Sequence, residues 1–336
     1  MEKLIEQLIN GLTVGSFYAL IALGYTMVYG VLSMINFAHG DIFMVGAYFG
    51  YFTITQLSNN GFSESHPVLA IIFTFLAGAL GAALTGVTVE RLAYRPLRKA
   101  SRLATLISAI GTSIFLQEFV RLIPKFGEIL ASLSIAGKTI FPPSWGNAII
   151  DVTKTFGGAM VKTYPGLLGT DGIRLGEVFI SYSRILIMAI AIVFMVLLFI
   201  LVRYTKLGKA MRAVSEDKDT AALMGINVNR IISSTFFIGS ALAGIAGVMI
   251  GIFYLQIKPT MGFTPGIKAF TSAVVGGIGN IPGAMLGGYI LGLAEVISIQ
   301  FLPAVYKDTV AFAILIIMLI VKPTGILGGR DGKNKL

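Results

Sequence analysis

The chain has 336 residues, 55% of them hydrophobic and only 12% charged, with a mean hydropathy of +0.84; that balance excludes an ordinary soluble domain, in which about a quarter of residues carry charge. A net charge of +10 on a soluble protein would suit a nucleic acid, but in so apolar a chain Lys and Arg gather in loops and orient the spans, so membrane lipid is the expected partner and nucleic acid is not. The absence of cysteine removes disulfides, thiol chemistry and cysteine-held metals.

Several apolar runs reach about 18–25 residues, enough to cross a hydrocarbon core of about 30 Å. They do not alternate apolar and polar residues as barrel strands would. The fold expected is therefore an all-α polytopic membrane protein, one transmembrane domain over 1–336. At the N-terminus Lys3 is balanced by Glu2 and Glu6, and no cleaved signal is expected.

The first run covers Leu8 to Leu32 and the second Ile42 to Leu57. Between them lies NFAHGD, which brings Asn36, His39, Gly40 and Asp41 to membrane depth or its edge. The loop Ser58 to Pro67 has an acid, turn residues and no Lys or Arg, so it reads as outside. A third run, Val68 to Val89, ends in a loop with Arg91, Arg95, Arg98, Lys99 and Arg102 against the single acid Glu90, which reads as cytoplasmic. The fourth, Leu103 to Ile123, carries Glu118 and Arg121 at i,i+3 spacing for a local ion pair. Residues 124–183 form a long polar region, external by parity. The fifth run is Arg184 to Val202.

A polar stretch of about 28 residues, Arg203 to Arg230, then interrupts the apolar runs; it is too long for a simple connection. Runs follow at Ile231 to Leu255, Ile281 to Leu302 and Thr309 to Val321. The basic tail, with Arg330, Lys333 and Lys335, reads as cytoplasmic, which requires one more crossing. Gly266 to Asn280, short for a span at 1.5 Å per residue, supplies it as a short or broken helix. That predicts about nine spans (8–10), with the N-terminus outside and the C-terminus in the cytoplasm.

The stripes Gly46/Gly50, Gly78/Ala82/Gly86 and Gly239/Ala243/Gly247/Gly251 follow small-xxx-small spacing, which lets helix backbones approach closely. No internal repeat stands out. VVGGIGN is not a phosphate loop, because no G-x-x-x-x-G-K-[ST] occurs and no soluble βαβ unit surrounds it. Its Gly276, Gly277 and Gly279 predict a helix break, tolerated at membrane depth only where protein buries it or it lines a watery cavity, so the segment is either a stretch of the translocation pathway or a structural kink. Asp41 suits the N-cap of the span that follows it, or a role in a pathway together with His39. Glu295 sits mid-run with no turn to cap and no basic neighbour in sequence. It pairs across helices, is protonated, or faces a pathway.

Within the polar stretch, Arg212, Glu216 and Asp219 fall at helical spacing, and Ala213, Leu223 and Met224 give the segment an amphipathic character. Ala221, Ala222 and Gly225 would let a short helix dock closely in a groove on another protein. The lack of a nucleotide motif makes that partner the expected energy source.

Five stretches carry a resemblance: INGLTVGSFYALIALGYTMVYGVLSMINFAHGDIFMVGAY, RLAYRPLRKASRLATLISAIGTSIFLQ, GKAMRAVSEDKDTAALMGINVNRI, KAFTSAVVGGIGNIPGAMLGG and the closing KPTGILG. Over nearly the whole chain the sequence resembles LivH-type permease subunits of branched-chain amino-acid ABC importers. The resemblance implies an inner-membrane permease that is not itself an enzyme, paired with a second related (LivM-like) permease. Two cytoplasmic ABC ATPase subunits, holding ATP and Mg, and an external substrate-binding protein would complete the complex; no cofactor is expected on this chain. It also implies that Arg212, Glu216, Asp217, Ala221, Ala222 and Gly225 belong to the segment that couples to an ATPase, although only Ala221–Ala222 and Gly225 remain of the wider E-A-A-x-x-x-G form. Relatives that import urea or short amides leave the substrate open. The competing reading is an H⁺- or Na⁺-coupled secondary transporter using His39, Asp41 and Glu295, or a passive channel.

Overall fold

The computed structural model describes residues 2–328, apart from 33, 99, 136, 137, 140, 141, 167, 169, 170, 176 and 177. Lys99 and the basic tail residues Arg330, Lys333 and Lys335 lie outside the described residues.

The described residues form thirteen α-helices: α1 (Glu2–Leu32), α2 (His39–Asn59), α3 (Phe62–Ser65), α4 (Pro67–Val89), α5 (Arg102–Ser132), α6 (Pro143–Phe156), α7 (Tyr182–Tyr204), α8 (Lys206–Glu216), α9 (Lys218–Leu223), α10 (Val228–Tyr254), α11 (Phe263–Gly276), α12 (Ile281–Ser298) and α13 (Lys307–Val321). A π turn, Glu90–Tyr94, extends α4. Short antiparallel ribbons lie beside the bundle; one joins Lys162–Thr163 to Gln256–Ile257, with Lys162 opposite Ile257.

Among the described residues seven helices are long and apolar enough to cross a membrane: α1, α4 with its π turn, α5, α7, α10, α12, and α13 with the 3₁₀ turn before it. The runs expected at Ile42–Leu57 and Gly266–Asn280 are also helical, as α2 and the 14-residue α11, but fall outside that set. Helix α5 differs from expectation. A proline usually ends a helix, yet α5 continues through Pro124 to Ser132. The polar region 124–183 therefore begins as helix, and α6 folds back along α5 with Thr153 seated over Gly127.

Polar residues start the helices around the charged stretch. Thr205 accepts from the Gly208 amide at 3.1 Å, Asp217 from Asp219 and Thr220, and Asn227 from Arg230 at 3.1 Å. Each satisfies an amide that the first helical turn leaves unpaired.

The centre of the bundle is α1, α2 and α10, largely buried, while α4, α5, α7 and α13 turn apolar flanks outward. Glycine sets the spacing. A methyl group on Gly46 would lie 3.1 Å from the Gly78 carbonyl and 3.2 Å from the Ala82 methyl, so α2, α4 and α10 meet nearly backbone to backbone around Gly46, Gly78 and Gly244. Helix α12 runs antiparallel to α1, with Leu293 beside Gly11, Tyr289 beside Gly15 and Gly288 beside Ala19.

Candidate translocation core and coupling segment

Helix α2 starts inside the bundle, because residues 34–38 do not continue α1. Gly40 rests directly on Gly262 and Gly266, so the first turn of α2 abuts that of α11. Asn36 Oδ1 accepts from the Ala38 amide at 3.1 Å and from the Tyr94 hydroxyl at 2.5 Å, which ties the entry of α2 to the π turn. Asp41 is not the cap. Ala38 holds the N-cap position without a side-chain bond, and Asp41 lies in the first turn, where the helix dipole favours an acid. Its carboxylate accepts from Ser113 Oγ and, at 2.9 Å, from Gln117 Nε2, both on α5. His39 is buried with its ring edge-on to Tyr25, 4.7 Å between centroids, and its Nε2 has no hydrogen-bond partner among the described residues.

A second polar centre forms around Glu295. Of the three options the sequence leaves, pairing across helices is the one the structure contains. Lys268 Nζ on α11 donates to Glu295 Oε1 at 2.8 Å, and the Tyr18 hydroxyl on α1 donates to Oε2 at 2.9 Å. The same ammonium lies 2.6 Å from Asp308 Oδ1 at the start of α13. Lys268 and Glu295 are 2% and 4% exposed, Asp308 42%. A buried ion pair needs such additional bonds to offset desolvation, and here four helices contribute. Beside it opens a cavity of about 350 Å³, lined by Tyr18, Tyr254, Thr264, Lys268, Lys307 and Asp308.

Gly276, Gly277 and Gly279 do not interrupt one long helix. They turn α11 into α12 as a hairpin. Gly277 and Gly279 have φ of +111° and +91°, conformations that side chains resist. Asn280 Oδ1 caps α12 by accepting from the Gly283 amide at 3.0 Å. The closing segment fills the elbow: the Ile326 amide donates to the Val275 carbonyl at 2.8 Å, Leu327 to Gly276 at 3.0 Å, and Asn280 Nδ2 to the Leu327 carbonyl at 2.9 Å.

The polar stretch holds two helices with a break at Asp217, so Arg212 and Glu216 belong to α8 and Asp219 to α9. Arg212 turns inward, its guanidinium donating to the Val202 carbonyl at 2.5 Å and the Arg203 carbonyl at 3.2 Å, which fastens α8 to the end of α7. Asp217 caps α9 from the Asp219 amide at 2.8 Å and the Thr220 amide at 3.0 Å; these bonds, Thr220 foremost, hold its carboxyl below the usual carboxylate range. Gly225 ends α9 at φ +81°: its amide reaches Ala222, and that of Ile226 reaches Ala221, a left-handed stop that favours glycine. Ala221 is buried and Ala222 open, while Leu223 and Met224 stand 88% and 79% exposed at the tip. Lys218 Nζ reaches the Leu32 carbonyl at the end of α1, at 3.5 Å.

The structure thus joins Asn36, Gly40 and Asp41 to Tyr94, Ser113 and Gln117, and Glu295 to Tyr18, Lys268 and Asp308; it does not bring the two centres into one site. Lys268 carried a readable signal, since an ionisable residue in an apolar segment demands a partner. Ser113 and Gln117 carried none, because which face of α5 meets α2 is a matter of packing.

Discontinuous helices around buried polar centres in a many-span bundle define the class, a multi-pass membrane permease. The chain belongs to the branched-chain amino acid transport system / permease component family, whose model matches residues 7–319. It is 44% identical over 324 residues, 96% of this chain and 95% of the other, to the high-affinity branched-chain amino acid transport system permease protein LivH of Salmonella typhimurium. BraD of Pseudomonas aeruginosa, the permease protein of a system of the same description, is equally similar, at 44% with the same coverage. LivM of Escherichia coli is 24% identical, over 94% of this chain and 68% of its own length.

Proposed function

We propose that the chain is one of two permease subunits of an ATP-binding-cassette importer in the inner membrane, carrying branched-chain or related small amino acids into the cell. The reading rests on the match to LivH along 96% of the chain. The likeness to LivM supports a related second permease as its partner. ATP and Mg belong to two cytoplasmic ATPase subunits, and an external binding protein delivers the amino acid. In this reading the N-terminus is outside and residues 203–230 face the cytoplasm.

The geometry of α8 and α9 supports a coupling role. An apolar tip, Leu223–Met224, stands open on a capped helix and fits a groove on an ATPase. Arg212 fastens α8 to α7, Lys218 touches the end of α1, and α10 begins at Val228. A push on the tip therefore reaches three spans through short, rigid elements. At the other end of α10, the cavity beside Lys268 offers both signs of charge with apolar walls, which suits a zwitterion bearing a branched side chain.

The test is uptake of labelled leucine by proteoliposomes holding the assembled importer. Gly225→Val forces a branched side chain into the left-handed stop at about 1–2 kcal/mol and should cut ATP-driven uptake about five- to thirtyfold with the chain still in the membrane. Unchanged uptake would refute the coupling assignment. Uptake by this chain alone under a proton gradient would refute the importer.

A further inference from the structure

At the end of the bundle that carries α8 and α9, a cavity of about 650 Å³ opens between the end of α4 and the start of α10. Arg91, Arg95 and Arg230 converge on it, and Ser233, Ser234 and Asn227 line it as well. All three arginines are exposed, and none forms an ion pair among the described residues. The neighbouring acid, Glu90, is already taken: it is buried, pairs with Arg98 and accepts from Ser233 Oγ at 2.7 Å. Arg98 also donates to Asn229 Oδ1 at 2.6 Å. The cavity therefore holds three uncompensated guanidinium groups beside Ser234 and Asn227.

Its other wall is apolar. Leu84, Val87 and Phe237 line it, and Leu84 continues a stripe of outward residues through Leu80 and Leu76 along α4, at four-residue spacing. Across the π turn Glu90 and Tyr94 are buried while Arg91 and Arg95 face out. The excess of basic residues at one end of a span orients it. Orientation does not require that they share a cavity with hydroxyl groups at the head of an apolar groove.

We infer that this cavity binds an anionic glycerophospholipid, its phosphate held by Arg91, Arg95 and Arg230 and one acyl chain laid along Leu84, Leu80 and Leu76. Guanidinium groups match phosphate oxygens bidentately, and basic pockets between spans at a membrane surface are suited to anionic headgroups.

The experiment compares the full-length chain with the variant Arg91→Gln/Arg95→Gln/Arg230→Gln in nanodiscs of phosphatidylcholine with increasing phosphatidylglycerol, reading bound lipid by native mass spectrometry. The parent chain should retain phosphatidylglycerol over phosphatidylcholine. Each arginine removed should weaken retention about fivefold, and Arg→Lys variants should recover part of it. Equal retention of both lipids by the parent overturns the proposal without reference to any variant. Displacement of the lipid by millimolar inorganic phosphate would make this a free-phosphate site and overturn it too. Undiminished phosphatidylglycerol binding in the triple variant, with loss of ATPase assembly, would assign the arginines to a protein interface instead.

Discussion

At the scale of single residues, Lys268 does the most with the least exposure. It balances Glu295 and Asp308 from different helices while Tyr18 takes the second oxygen of Glu295. Removing one partner of a buried pair costs about 3–5 kcal/mol, because the other charge stays desolvated. Lys268→Met should therefore lower the melting temperature in detergent sharply, and adding Glu295→Gln should restore most of the loss. A lone Lys268→Met variant that melts like the parent would show that the pair does not hold α11 to α12. Glu295 could be flagged from sequence by its place in an apolar run, but its partner lay 27 positions upstream on another helix. Nothing in spacing or composition joins the two; only the fold does. Asp41 teaches the reverse lesson. Its position after a turn fitted a cap, and the same position inside the bundle made two side chains of α5 better partners than its own backbone.

At the scale of elements, the sequence made helices legible wherever apolar runs were long, and α4, α7 and α10 begin and end within a few residues of the expected bounds. It missed the extension of α5, since a proline in the middle of a helix is tolerated when neighbouring structure supports it, and here α6 packs against α5. It also read residues 212–219 as one helical face, where Asp217 stops one helix and caps the next. That cap gives α9 a pH dependence. Backbone bonds lower the Asp217 carboxyl in the folded chain relative to its unfolded value near pH 3.9. The stabilisation is therefore complete above about pH 4 and is lost as pH falls through the folded value. Hydrogen exchange should report protected Asp219 and Thr220 amides at neutral pH and loss of protection in that acid window. Asp217→Asn should keep the protection throughout and Asp217→Ala should lack it at every pH; an Asp217→Ala chain with native protection would discard the cap.

At the scale of the whole molecule, the absence of cysteine makes the orientation easy to measure. The α2–α4 connection and the α8–α9 tip lie at opposite ends of α10, because α2 runs parallel to α10, with Gly46 at Gly244 and Gly50 at Val248. A membrane-impermeant maleimide should label Ser65→Cys in intact cells and Leu223→Cys only after permeabilisation. The reversed pattern would invert the chain and overturn the proposed contact of α9 with an ATPase. The family was legible from motifs spread along the chain. The meeting of α2 and α11 by their first turns was not legible, since glycine spacing announces close approach without naming the neighbour.

The elbow between α11 and α12 has a bearing on how the protein is made. Asn280 and its partner Leu327 are 47 positions apart, and the Val275 and Gly276 carbonyls wait for the same late segment. During synthesis the hairpin therefore emerges unfinished, with two backbone acceptors unmatched until α13 has been inserted and the chain has doubled back. A ribosome that stalls inside α13 releases a product whose spans are nearly all present and whose elbow is still open. Such a chain leaves the Val275 and Gly276 carbonyls and Asn280 Nδ2 without the partners that residues 326 and 327 supply.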